Sequence, residues 1–329
     1  MRRHNRSVIV CLPDTPGTRA TLSPIEAELQ RRGHLCVTDG PRDVSLCCRP
    51  EDAVALRQRG PDPVVFTPRR SNPGRGWARK LALLVPSVDL LCLPGELSVD
   101  VLHVACPGFD RFVVSGSPRF DLLRDAPSTR ARIAALHGLD PTRPLVVFAP
   151  RWHQRLRLVR ARGHGTLPWL DDVVAAATSA QVELIVLPHP KEHGDRRLAR
   201  APHVARVLDA TAYLCAADVL ITDFSPLAAD FLARDRPIVQ LLDALAPRLR
   251  RLAGPTNPRE HEAFEAGAHV HAADLAPTLM AACAGDDPTA QRRRALSARI
   301  FAHAGEATAR HVDALEALVG RANQRVAAL

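Results

Sequence analysis

Lysine is nearly missing from this chain. Lys80 and Lys191 are the two lysines among 329 residues, against 44 lysines and arginines together. The net charge of +9 therefore rests on guanidinium groups, which form bidentate forks to phosphate and carboxylate. An arginine-favouring coding bias gives the same composition without any function. Aromatic residues are also scarce, at 4%, so there is little on which to stack bases. No zinc-finger, RNA-recognition or helix-turn-helix pattern is present. Of the partners that suit a basic surface, nucleic acid is thus weaker than an anionic membrane or a polyanionic substrate. No apolar run approaches the length that spans a bilayer. The run Val8 to Leu12, behind a basic N-terminus, is too short for a signal peptide. The expectation is a cytoplasmic protein, with any membrane contact peripheral and on the inner face. Eight cysteines are scattered singly except for Cys47 and Cys48, and Cys11 and Cys92 lie inside apolar runs. Buried reduced thiols fit that pattern.

What the chain does have is rhythm. Short apolar runs alternate with helical stretches, as in a parallel sheet with crossover helices. Strands are expected at Ser7 to Leu12, His34 to Thr38, Val44 to Cys48, Pro63 to Thr67, Asp89 to Leu93 and Arg111 to Val114. The rhythm pauses between Ser115 and Pro144, around a polar helix from Thr129 to His137. It restarts with strands at Leu145 to Ala149, Glu183 to Leu187, Ala205 to Leu208, Val219 to Thr222 and Pro237 to Leu242. Helices are expected at Thr21 to Arg32, Trp169 to Ser179 and Pro226 to Arg234, and in a tail from Pro288 to Leu329 broken near Gly305. The fold class is α/β: two facing Rossmann-like domains with parallel sheets and a cleft between them. The expected bounds are 1–125 for the first domain, 126–144 for a linker, 145–304 for the second domain and 305–329 for a C-terminal helix.

Four segments carry polar chemistry at the expected strand ends. Thr222-Asp223-Phe224-Ser225-Pro226 joins a buried strand to a helix, where small hydroxyl residues suit a phosphate. His189 lies between Pro188 and Pro190, which restrict the backbone on both sides of it. A histidine so placed can donate to a phosphate or move a proton, or serve as a cap. Gly116 permits close backbone approach, and Arg119 either forks a phosphate or pairs with Asp121. Pro150-Arg151-Trp152 opens a loop with Arg155, Arg157, Arg160 and Arg162 that either grips an anion or is solvated. The string His189-Pro190-Lys191-Glu192-His193 matches a zinc-peptidase motif in letters only. That motif needs a helix, and here a strand ends and a proline follows.

Taken in order, these segments resemble the CDP-glycerol glycerophosphotransferase family of teichoic-acid synthesis, which has a GT-B fold. Gly116 to Asp121 is similar to that family's Gly-Tyr-Pro-Arg-Asn-Asp motif, and Ala149 to Trp152 to its Ala-Pro-Thr-Trp. His189-Pro190 matches its His-Pro. Ile221 to Pro226 resembles Ile-Thr-Asp-Tyr-Ser-Ser, and Gly305 to Arg310 resembles Gly-x-Ala-Ser-x-Arg. The resemblance implies attack by an acceptor hydroxyl on the β-phosphorus of CDP-glycerol, with release of CMP. It implies catalytic roles for His189 and Asp223. Donor binding would fall to Arg119, Pro150, Arg151, Pro190, Thr222, Ser225, Gly305 and Thr308. It implies no cofactor and no metal. The acceptor would be a polyol, a polymer end or a lipid-linked sugar. Two departures stand out. Pro226 replaces the family's second serine, and Phe66 to Gly74 lacks the first-domain histidine to which the family assigns the base. Asp14, in the first strand-to-helix turn, is the candidate base in its place. A GT-B glycosyltransferase using a nucleotide sugar, and a non-catalytic nucleotide-binding member, are the alternatives.

Overall fold

The computed structural model describes residues 8–12, 18–69, 77–124, 127–151, 167, 169–223, 225–242 and 265–327. Two compact units divide the chain. One comprises Met1–Leu122 with Ala298–Leu329, and the other Leu123–Ser297.

The first unit is built on β1 (Ile9–Cys11), β2 (Leu35–Val37), β3 (Val44–Cys47), β4 (Val64–Phe66), β5 (Leu90–Leu93) and β6 (Phe112–Val114). Their order is β2-β1-β3-β4-β5-β6, with every pairing parallel. Parallel strands covered on both faces read as continuous apolar runs, which is why Val64-Val65-Phe66 and Leu90 to Leu93 were legible. One face packs against α1 (Arg19–Arg31), whose Leu22, Ile25 and Leu29 recur at helical spacing. The other face packs against α2 (Pro50–Arg59), α3 (Trp77–Leu84) and α4 (Glu96–Ala105) through Ala53, Leu56, Leu81, Leu84, Val101 and Leu102.

The second unit holds β7 (Leu145–Ala149), β8 (Glu183–Val186), β9 (His203–Val204), β10 (Val219–Thr222), β11 (Ile238–Leu241) and β12 (Ala268–Val270). The order β12-β11-β10-β7-β8-β9 is again all parallel. Two strands depart from the expectation. The edge strand lies at His203–Val204 rather than Ala205 to Leu208, because Leu208 is 87% exposed and contributes nothing to a core. The sixth strand, β12, has no apolar run to announce it. Helices α7 (Leu170–Ser179) and α10 (Leu275–Cys283) cover one face through Leu170, Val173, Leu275 and Leu279. The polar stretch before β7 carries α6 (Pro127–His137), which lies in this unit. Its Arg130 donates to the Ala216 carbonyl at 3.0 Å and pairs with Asp218 at 2.6 Å. Beyond β12, the helix α11 (Ala290–Ile300) seats the buried Arg293 on Asp235 and Asp287.

The chain then returns to the first unit. The last helix, α12 (Ala307–Ala327), places Val312, Leu315 and Val319 in the same core as Leu22, Ile25 and Leu29. The segment leading into it passes over the ends of β5 and β6. The Ala302 N–H donates to the Pro94 carbonyl at 2.8 Å. Two glycines make room for this approach. A Cβ on Gly95 would stand 2.4 Å from the Ile300 carbonyl oxygen. A Cβ on Gly116 would stand 2.5 Å from the Ala302 oxygen and 2.7 Å from the Ala307 Cβ, and Gly116 also has φ +87°. The close approach anticipated at Gly116 is therefore made by the chain's own C-terminal segment.

Gly116→Ala combines a left-handed backbone cost with a backbone clash, so urea unfolding should show a loss of about 2–4 kcal/mol. Gly138→Ala meets φ +65° but open space, and should lose only about 1 kcal/mol. Equal losses would contradict the packing argument.

Candidate functional site

In an open parallel sheet, ligands bind at the carboxyl edge where the strand order reverses, since the connecting segments diverge there and leave a crevice. In the second unit that reversal lies between β7 and β10, from which the chain runs outward to β9 on one side and β12 on the other. Pro150 and Arg151 leave the end of β7, and Thr222 and Asp223 close the end of β10. The sequence-derived residues thus flank the reversal from both sides.

Two consecutive side chains at the end of β10, its last residue and the one after it, hold the exit of β7. The Thr222 hydroxyl donates to the Ala149 carbonyl at 2.7 Å, and the Arg151 N–H donates to Asp223 Oδ1 at 2.6 Å. Pro150, between them, has no N–H to give. Thr222 is fully buried and Asp223 is 4% exposed; the first bond is sheltered from water and the second is partly buried. Main-chain pairing between the strands ends at Thr222 and Ala149, and these side chains extend it past the last ladder pair.

His189 stands three residues past β8, the strand beside β7 on the other side. It caps the short turn Pro190–Glu192, with its Nδ1 accepting from the Lys191 N–H at 3.2 Å. A neutral imidazole that accepts at Nδ1 carries its proton on Nε2, so the ring offers a donor there. Ser225 is buried, and its hydroxyl accepts from the Leu227 N–H at 3.4 Å. The helix that follows is shorter than expected. Leu227–Phe231 is α-helical and Leu232–Arg234 tightens into a 3-10 turn.

Seven sequence-derived residues therefore share one edge of the second unit: Pro150, Arg151, His189, Pro190, Thr222, Asp223 and Ser225. Arg119, Gly305 and Thr308 belong to the first unit. There the donors at the start of α12 already serve an internal anion. Asp121 accepts from the Gly305 N–H at 2.7 Å, the Thr308 N–H at 2.8 Å and the Thr308 hydroxyl at 2.9 Å. This role of Asp121 has no local signature in the sequence, because its partners lie 184 and 187 residues away. Asp14, Trp152, Phe224 and the arginines at 155, 157, 160 and 162 lie outside the described residues.

All eight cysteines are free thiols, and burial pushes Cys48 and Cys92 up to about 12, so these two are protonated near neutral pH. Among the described residues no group of three or more His, Cys, Asp or Glu side chains could hold a metal ion.

Residues 68–312 match the sequence model of the CDP-Glycerol:Poly(glycerophosphate) glycerophosphotransferase family. The chain belongs to this family. It is a transferase by membership, and the match takes in β5 through the first turns of α12. No curated protein sequence matches the chain. Solved structures agree on the fold. The wall teichoic acid polymerase TagF is 14% identical, with a TM-score of 0.71 over 97% of this chain and 89% of that one. A TagF variant soaked with CDPG gives a TM-score of 0.68 at 14% identity, over 97% and 90%. A putative UDP-N-acetylglucosamine 2-epimerase from Listeria monocytogenes gives 0.61 at 12% identity, over 96% and 98%. The family member described here is thus α/β, with two parallel six-stranded sheets of GT-B-like kind.

Asp223 supplies an acceptor to the partly buried Arg151 N–H. Asp223→Asn retains an oxygen for Arg151 and should melt close to the wild type. Asp223→Ala leaves the donor unpaired and should cost about 1–3 kcal/mol. Equal destabilisation in differential scanning calorimetry would show that charge, not acceptance, is what Asp223 supplies.

Proposed function

We propose that the reversal edge of the second sheet binds the diphosphate of CDP-glycerol, or of a related CDP-activated alditol. The acceptor hydroxyl oxygen attacks the β-phosphorus and forms a new P–O bond. The bond from that phosphorus to the bridging oxygen breaks, CMP leaves with the electron pair, and the hydroxyl proton is released. Such a transfer depends on alignment and charge neutralisation more than on covalent help from the protein. His189 donates from Nε2 to a diphosphate oxygen, and Arg151 and Ser225 add further donors. Within the second unit, Asp223 with Thr222 keeps the β7 exit in place. One observation carries this reading. Three segments resembling the family's motifs, ending β7, β8 and β10, gather at the single reversal of strand order in this sheet.

The acceptor in this proposal is a polyol, polymer end or lipid-linked sugar in cell-envelope polymer synthesis. Contact with an anionic membrane is peripheral, from a protein in the cytoplasm. Among the described residues no helix is long and apolar enough to cross a membrane. One surface feature supports peripheral contact. In the first unit α3 and α4 leave Leu83 67% and Val104 71% exposed, and Arg79 and Lys80 are exposed on α3 one turn before Leu83. Exposed apolar side chains flanked by cations suit an anionic lipid surface.

His189→Ala should lower CMP release from CDP-glycerol, assayed with a membrane fraction, by about 100-fold or more. Unchanged turnover would remove His189 from the site. Stabilisation of the wild type by UDP-sugars but not by CDP-glycerol or CMP would replace the proposed donor. In flotation assays the protein should rise with vesicles containing anionic lipid and not with neutral ones. Leu83→Asp with Val104→Asp should abolish this. Equal flotation with neutral lipid, or none at all, would contradict the membrane assignment.

A further inference from the structure

The first unit contains a buried polar cluster that the donor edge does not use. His311, on the second turn of α12, is fully buried, as are Ser115 and, at 2% exposure, Thr67. His311 Nδ1 lies 2.8 Å from the Ala307 carbonyl, which can only accept, so Nδ1 carries the proton. Nε2 is then an acceptor. It lies 2.9 Å from the Thr67 hydroxyl and 3.3 Å from the Ser115 hydroxyl. Thr67 follows β4 and Ser115 follows β6, so one imidazole ties the carboxyl ends of two strands to the C-terminal helix.

Both strands lead directly into basic segments. Arg69 comes two residues after Thr67, and its carbonyl accepts from the Thr21 hydroxyl at 3.3 Å. Arg119 comes four residues after Ser115, past Gly116 and its contact with Ala307. The carboxyl edge of a parallel sheet is its ligand-facing edge. The partner of His311 thus sets where this edge begins at each of two arginine-bearing exits. The bond between Thr67 and His311 also joins the two ends of the family match, which runs from 68 to 312.

We propose that His311 is a positioning residue, which fixes the exits of β4 and β6 so that Arg69 and Arg119 are held for an anionic substrate group. The effect on turnover rests on the transferase reading; the coupling of His311 to Thr67 does not. Burial holds the imidazole down at about 4, against opposing contributions from the Ala307 carbonyl and the Asp121 carboxylate. Asp121, on α5 (Pro118–Arg124), is the charged group facing it. Cys92 of β5 reaches it through Ser115 and is protonated near neutral pH. The folded value lies below the unfolded one. The arrangement is therefore fully stable above about pH 6.5 and weakens as pH falls from there toward 4.

The test compares His311→Leu, His311→Gln and Thr67→Val by CMP release from CDP-glycerol, by CMP affinity and by urea unfolding. His311→Leu should lower turnover about 10-fold or more while CMP affinity stays within about 2-fold. His311→Gln should recover most of the turnover, since its Oε1 can accept from Thr67, and should lack the acid loss of stability below pH 6.5. Thr67→Val should cost little in the His311→Leu background. A folded His311→Leu protein with wild-type turnover, or CMP affinity falling in step with turnover, would overturn the proposal. Should the wild type release no CMP, the transferase reading fails. Unfolding costs that simply add between the Thr67 and His311 changes would then overturn this inference separately.

Discussion

The capture of one strand exit by its neighbour governs the candidate site. The Thr222 hydroxyl and the Asp223 carboxylate reach across the strand reversal and bind the carbonyl and N–H on either side of Pro150. Without them the main-chain ladder would end at Ala149, and Pro150 could not continue it. With them, Arg151 leaves the sheet from a fixed point, next to a histidine whose own ring orientation is set by the Lys191 N–H. The edge is polar because the interior is not. Leu145 to Ala149 and Val219 to Thr222 are buried throughout, so the first positions open to ligand chemistry are the turns beyond them.

The first unit follows the same logic by different means. Its carboxyl edge is braced from the far end of the chain. The Ala302 N–H, the Asp121 carboxylate and the His311 imidazole each connect residues of the first 121 positions to the last 30 or so. Two stretches that resemble separate family motifs, Gly116 to Asp121 and Gly305 to Arg310, prove to be partners. Gly116 admits Ala307, and Asp121 receives the donors of Gly305 and Thr308. A carboxylate at the start of a 21-residue helix also complements the positive end of its dipole.

Most strands could be read from the sequence because a fully buried parallel strand is an uninterrupted apolar run between turn residues. Two could not. β12 is Ala-His-Val, and it becomes a strand only because β11 offers a partner edge. At the opposite edge, Val207 and Leu208 imitate a strand, but among the described residues nothing buries Leu208. The candidate site divides in the same way. Turns that follow strands carry local signatures, so Pro150-Arg151, His189-Pro190 and Thr222-Asp223 were visible. The partners of Asp121 and His311 were not, since a hydrogen bond across 187 or 244 residues leaves no trace in local pattern. His311 in particular is a lone histidine on an amphipathic helix, a position that usually means nothing more than packing.

If the donor sits on the reversal edge of the second sheet, hydrogen exchange measured with and without saturating CDP-glycerol should show new protection in 149–151, 187–191 and 222–228, with Arg151 and Lys191 among the protected amides. Protection elsewhere in the chain, with these three segments unchanged, would contradict that placement.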